Sequence, residues 1–291
     1  MGKRLSFNGQ LLEPGDLYLS PGNRAFRYGD GVFETIRIEL GTILWLEHHF
    51  ERLTKSARLL YLNPGTDWSQ AHFEKDILSL YFQNHPDNGS ARVRYSLFRD
   101  DGGLYTPMTN TASHLIESDP IDQPFFALNT KGIEIDLYTD IRKAVNLLSP
   151  LKGISAVLYV LASIHKRAEG LGDCLILNQS GHIAEATSSN LFMIKNSRIY
   201  TPPLNEGCVD GIMRSIILEI LKEQGLEPIE KPIAPKELMG ADELFLCNTI
   251  QGLRWVYRYR DKTFLNGQTA TIMRMLNEKA MTYCQKNNGL S

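Results

Sequence analysis

Residues 118–131 read SDPIDQPFFALNTK, and neither a strand period nor a helix period runs through them. Pro120 and Pro124 each remove a backbone donor and turn the preceding residue away from the helical region. We read a linker here. It divides the 291-residue chain into an N-terminal domain over residues 1–120, a linker over 121–131 and a C-terminal domain over 132–291.

Strand and helix signals occur on both sides of the linker. RLSFNGQLL places an Asn-Gly turn between short apolar stretches, a hairpin signal. GVFETIRIEL, Gly41 and TILWL read as a second hairpin. Leu46, Phe50, Leu53, Ala57 and Leu60 then recur at helical spacing, up to Pro64 and Gly65. A second helix is expected near 68–83, followed by strands in ARVRYSLFRD and SHLIES. Beyond the linker, Ile154, Val157, Leu158, Leu161 and Ala168 share one helical face, stopped by Gly170. A meander over CLILN, HIAEAT, NLFMI and RIYTP follows, then a helix in DGIMRSIILEILKEQG and strands in ELFLCNT and LRWVYRYR. No regular strand–helix–strand alternation appears. That predicts two α+β domains rather than one doubly wound sheet.

The formal net charge of −2 gives no basic stripe for nucleic acid. No apolar run is long enough for a bilayer, and the N-terminus lacks the apolar core of a signal peptide. MGKRLS matches the short myristoylation pattern at Gly2 and Ser6, which alone carries no expectation. Cys174, Cys208, Cys247 and Cys284 form no CxxC pair, so reduced thiols and a cytoplasmic protein are expected. His48 and His49 are adjacent, which does not put two imidazoles on one helix face as metal ligands. No metal site is expected.

Several positions could carry chemistry. In VDGIMR, Asp210 stands before Gly211, Ile212 and Met213 at a helix start. Unpaired N–H groups and the helix dipole there suit an anion such as phosphate. The alternative is a helix capped by its own aspartate. In SPLKGIS, Lys152 sits between Pro150 and Gly153 before an apolar helix. Partial loss of water would make its amine a nucleophile for carbonyls, and the alternative is an exposed turn lysine. Glu185 lies among Ile183, Ala184 and Ala186. If buried it needs a cation; otherwise it faces outward. Arg52 could reach a phosphate from its helix or stay solvated, and Asn248 and Thr249 end a strand.

Together, a candidate Schiff-base lysine, an acid, an anion-binding helix start, an arginine and a threonine match what pyridoxal phosphate requires. From YGDGVFETIR through HFERL, LK, EATSSNLF and GIMR to ADELFLCNT, the chain resembles the class IV (fold type IV) pyridoxal-phosphate enzymes. These include branched-chain aminotransferases, D-amino-acid transaminases and 4-amino-4-deoxychorismate lyases. The resemblance implies a small α/β N-terminal domain, a larger barrel-like C-terminal domain, the cofactor pyridoxal 5′-phosphate between them, and a homodimer with shared sites. It implies Lys152 as the Schiff-base lysine and Glu185 as the partner of the pyridine nitrogen. Arg52, Gly211, Ile212, Met213, Asn248 and Thr249, with Ser189 and Asn190, are implied around the cofactor and its phosphate.

The chain departs from this pattern in places. Branched-chain enzymes carry a tyrosine where Val157 stands, which leaves Ser155 or Tyr159 for the cofactor's phenolate. The tyrosine–arginine–histidine carboxylate trap of D-amino-acid enzymes is replaced by Phe33, Leu104 and Thr106. Arg27, Arg92 and Arg94 are the alternative carboxylate anchors, beside Tyr28, Phe33 and Ile250. The clustered arginines favour a D-amino acid as donor, with a 2-oxo acid such as 2-oxoglutarate or pyruvate as acceptor. A branched-chain L-amino-acid enzyme is the first alternative and a lyase the second. An inactive scaffold would be expected to lack Lys152 or Glu185.

Overall fold

The computed structural model describes residues 3–289, so the myristoylation pattern at Gly2 lies outside the described residues. The chain divides into two compact units. The first comprises Met1–Phe125, Lys152–Ser155 and Ala280–Ser291; the second comprises Phe126–Leu151 and Ala156–Lys279. Two distant segments thus return to the first unit, which a division by sequence position does not show.

In the first unit, β1 (Leu5–Phe7) and β2 (Gln10–Leu12) form a hairpin. Its turn residues Asn8 and Gly9 both have positive φ, the geometry that Asn-Gly favours. A one-turn helix α1 (Arg24–Tyr28) is capped by the Asn23 side chain and closed by Gly29 in the left-handed region. Then come β3 (Gly31–Glu39), β4 (Thr42–Ile43), α2 (Leu46–Leu59), α3 (Gln70–Asn84), β5 (Ala91–Arg99) and β6 (Ala112–Pro120). The strands make one sheet in the order β2-β1-β6-β5-β3-β4. Ile36, Ile38, Val93, Tyr95 and Ile116 from its strands pack with Leu53 and Ala57 of α2 and Phe73, Ile77 and Leu80 of α3. Pro120 ends β6, so the irregular chain begins at residue 121.

The second unit starts with β7 (Ile133–Lys143), α4 (Val157–Ala168), β8 (Asp173–Asn178), β9 (Ile183–Ala186), β10 (Asn190–Lys195) and β11 (Arg198–Thr201). It continues with α5 (Ile212–Glu223), β12 (Ile229–Glu230), β13 (Glu243–Asn248), β14 (Gly252–Tyr259) and β15 (Lys262–Thr263). Helix α6 (Gly267–Asn287), which has no strong periodic signal, follows. The sheet order is β12-β11-β10-β13-β14-β7-β8-β9, with β15 on β14. The N–H of Ile183 in β9 donates to the carbonyl of Ile233, three residues past β12, at 2.9 Å. That bond ties the two ends of the strand order together, so the sheet curls into a half barrel. Among the described residues no helix is long and apolar enough to cross a membrane.

The apolar face expected on α4 is not core. Of its residues only Ala162 is buried. Val157, Val160 and Ile164 are 66%, 55% and 56% exposed, and Leu161 is partly exposed beside them.

Candidate active site

The glycines of YGDGVFETIR have a packing reason. A Cβ on Gly29 would lie 2.8 Å from the Ser155 Cβ, and one on Gly31 would lie 2.6 Å from the Leu97 carbonyl oxygen. Residues 152–155 run antiparallel to the start of β3, with Val32 bridged to Gly153. The Phe33 N–H donates to the Lys152 carbonyl at 2.9 Å, and the Ile154 N–H donates to the Gly31 carbonyl at 3.0 Å. The backbone of Lys152 is therefore held as an extra edge of the sheet. Its Nζ lies 4.6 Å from the Phe33 ring centroid, and the Arg94 guanidinium lies 3.7 Å from the same centroid.

Asp30 accepts from Arg24 Nε at 2.8 Å and from Arg99 Nε at 2.9 Å. Arg24 also donates to the Gly102 and Leu104 carbonyls. The Asp of Gly-Asp-Gly is thus an anchor for two buried arginines rather than part of an anion loop. Arg24 is hard to find from sequence, because nothing local distinguishes it from Arg27, one turn on. Arg27 is exposed and donates to the Pro21 carbonyl at 2.8 Å. Tyr28 packs on Tyr105 and under Arg24. Arg92 pairs with Asp119 at 3.6 Å, so Arg92 and Arg94 share a strand but serve different neighbours.

Arg52 is not a solvated arginine. It is buried and its Nε and Nη2 donate to the two oxygens of Glu34, with Nε at 2.8 Å. His49 Nδ1–H donates to Glu34 Oε2 at 2.7 Å. Burial pushes the Glu34 carboxyl up, but Arg52 and His49 outweigh it and hold it down to about 2. Burial lowers His49 below the usual imidazole value despite Glu34 beside it, so the ring stays neutral at pH 7.

The second unit gathers most of the other candidates. Glu185 is 3% exposed, which rules out the outward-facing alternative. Its Oε1 accepts from Lys143 Nζ at 2.5 Å and from the Tyr159 hydroxyl at 2.7 Å. Its Oε2 accepts from the Val209 N–H at 2.9 Å. The carbonyl of that same Val209 accepts from Asn190 Nδ2 at 3.0 Å. Tyr159 has one proton and gives it to Glu185, so in this arrangement it does not serve as a donor to the cofactor's phenolate. Lys143 was not legible in the sequence. It follows an arginine in a charged strand end, and only the parallel pairing of β7 with β8 and the antiparallel pairing of β8 with β9 bring it to Glu185.

Gly211 is the N-cap of α5, one residue later than a cap at Asp210 would be, and glycine brings no capping side chain. Strand pairing of Asn190 with Cys247 brings Ser189 and Asn190 beside Asn248, whose Nδ2 donates to Ser189 Oγ at 3.1 Å. The Asn248 side chain also accepts from the Ile250 and Gln251 N–H groups, which folds Thr249 and Ile250 into a turn. Ile212 and Met213 are buried. A Cβ on Gly211 would lie 1.9 Å from Asn190 Oδ1. Gly211→Ala is expected to displace Asn190 and lower stability by about 1–3 kcal/mol. Thermal melts and a cofactor titration of the variant measure both losses.

A family model for class IV amino-transferases matches residues 31–259. The chain belongs to the class IV amino-transferase family. Class IV amino-transferases are pyridoxal-phosphate-dependent enzymes, and pyridoxal 5′-phosphate is the cofactor of this chain. A Methanocaldococcus jannaschii protein bearing the name branched-chain-amino-acid aminotransferase is 29% identical, over 95% of this chain and 94% of its own. The D-alanine aminotransferase of Bacillus licheniformis is 29% identical over 84% of each chain. The solved branched-chain amino acid aminotransferase of Escherichia coli superposes with a TM-score of 0.83 at 23% identity, over 94% of this class IV chain and 92% of that one. The residues of the second unit suit this cofactor chemically. A glycine-capped helix start, a hydroxyl and amides can receive a phosphate. An ionised carboxylate has about four acceptor positions. The three donors on Glu185 leave one of them, on Oε2.

Proposed function

We propose that this protein moves an amino group between an amino acid and a 2-oxo acid such as 2-oxoglutarate or pyruvate. The observation that carries the reading is Lys152, held by its backbone on β3 with its amine over Phe33. When bound, pyridoxal phosphate supplies an electron sink for the bond broken at the substrate's α-carbon. The Lys152 amine would hold the cofactor and would carry the proton at the substrate's α-carbon. Glu185 would face the ring nitrogen. In the second unit the start of α5 at Gly211, Ile212 and Met213 would receive the phosphate with Ser189, Asn190, Asn248 and Thr249, and in the first unit Arg52, oriented by Glu34, is the residue that would hold it. Phe33, Tyr28 and Ile250 line the substrate.

Among the three candidate carboxylate anchors, Arg94 is best supported. Its guanidinium shares the Phe33 ring with Lys152, whereas Arg92 is engaged by Asp119 and Arg27 lies exposed on the Pro21 carbonyl. The three arginines serve different neighbours, which weakens the case for a D-amino-acid donor. One arginine against an aromatic ring suits a small or apolar amino acid with one carboxylate, and the branched-chain aminotransferases among the relatives lead us to favour a branched-chain L-amino acid as donor. A half-reaction screen of D- and L-amino acids, read by the loss of the holoenzyme's visible colour, decides between them. Branched-chain L-amino acids should bleach it fastest, and Arg94→Ala should raise the donor's KM at least tenfold. Bleaching by D-alanine alone overturns the donor assignment. Pyruvate release from 4-amino-4-deoxychorismate without amino transfer would make the protein a lyase. A chain that takes up the cofactor but whose colour no amino acid bleaches would be an inactive scaffold.

The exposed stripe of Val157, Val160, Leu161 and Ile164 on α4 supports a homodimer, because lone chains rarely leave so many neighbouring apolar side chains in water. A second copy is the occupant we propose. Light scattering should give twice the chain mass, and Val160→Lys with Ile164→Lys should give monomers. A wild-type monomer at micromolar concentration would end this proposal. Four buried, free cysteines are compatible with the cytoplasm.

A further inference from the structure

Lys143 has no part in the roles assigned above, yet it is buried and closer to Glu185 than any other cation. Its Nζ donates to Glu185 Oε1 at 2.5 Å and to the Ser149 carbonyl at 3.1 Å. Two donors therefore occupy Oε1, Lys143 from β7 and Tyr159 from α4, while Oε2 holds one, the Val209 N–H. The carboxylate cannot rotate without losing one of these bonds. Titratable groups around it are Lys143, Tyr159 and Cys208, with Asp210 before α5 and Arg214 in its first turn. Burial, then Glu185, holds the Tyr159 phenol above its usual range, and burial pushes the Cys208 thiol up to about 12. Both stay neutral near pH 7, so Lys143 is the charge that balances Glu185.

We infer that Lys143 is a positioning residue that fixes Glu185 with its remaining acceptor site on Oε2 and divides the carboxylate's charge between itself and the cofactor's ring nitrogen. The inference rests on the reading that Glu185 faces that nitrogen. A carboxylate that already balances an ammonium group attracts a second cation less strongly. The ring nitrogen should then hold its proton less tightly than it would opposite an unshared acid.

The test uses holoenzyme loaded with ring-15N pyridoxal phosphate and follows the nitrogen resonance with pH. In Lys143→Met the ring nitrogen should keep its proton to a pH at least one unit higher, a tenfold tighter hold. Lys143→Arg, which keeps the charge, should titrate as wild type. If Lys143→Met fails to load or fold, Tyr159→Phe serves instead. It removes one donor from Oε1 and should shift the titration in the same direction by a smaller amount. A Lys143→Met titration that overlays wild type overturns the inference, as does a Lys143→Arg titration that matches Lys143→Met. Where the methionine variant cannot be loaded, an unshifted Tyr159→Phe overturns it. Glu185→Gln separates the two levels. If it leaves the nitrogen unchanged, the assignment of Glu185 itself fails. If it loosens the proton while Lys143→Met does nothing, only the role of Lys143 fails.

Discussion

Replacing Lys152 with alanine should lower amino transfer by at least about 10³-fold, the largest functional loss expected from any single change here. Alanine removes both the amine that bonds the cofactor and the group that carries the proton. The backbone should tolerate the change, because the bonds to Phe33 and Gly31 use main-chain atoms only. The decisive readout is covalent. Borohydride reduction of the wild-type holoenzyme should fix the cofactor to the peptide containing residue 152, and the alanine variant should release it. Recovery of the cofactor on Lys143 would overturn the assignment, since Lys143 is the buried lysine bonded to Glu185.

The second large effect is on stability and centres on Glu34. Glu34→Ala leaves the Arg52 guanidinium buried without its carboxylate, and loss of one partner from such a pair costs about 3–5 kcal/mol. The same pair predicts a pH dependence. The carboxyl falls from its ordinary 4.5 to about 2 in the folded chain. At low pH the unfolded chain therefore binds the proton first. The stabilisation is complete above about pH 4.5 and lost progressively towards pH 2, with a size of roughly 3 kcal/mol. His49, held below its ordinary value, acts in the same direction at pH below 6.5. Denaturant midpoints measured from pH 7 to pH 3 should fall steeply in wild type and more gently in Glu34→Gln. Parallel curves would mean that Glu34 is not the titrating group.

Arg52 shows why the sequence could point at a residue without explaining it. The motif HFERL singled it out, but its partner Glu34 stands 18 positions earlier. The two meet because β3 pairs into a sheet that α2 covers. Likewise, Gly-Asp-Gly invites an anion-binding loop when read alone. Its glycines make room for a segment more than 120 residues further along the chain.

What the sequence determined by itself was local. Turn chemistry marked the hairpins at Asn8–Gly9 and Gly41, prolines marked the end of β6, and apolar spacing marked α2 and α4. Backbone preferences and periodicity act over a few residues, so they are written in a few residues. The motif series also carried the family. The tertiary structure alone decided which charges meet. It put Lys143 on Glu185, Arg24 on Asp30, and both Arg94 and Lys152 on the Phe33 ring. It also left the apolar face of α4 in solvent, although its pattern is that of a core helix. Burial and ion pairing depend on strand order and on the return of residues 152–155 to the first sheet. Those are long-range pairings, and no local pattern encodes them.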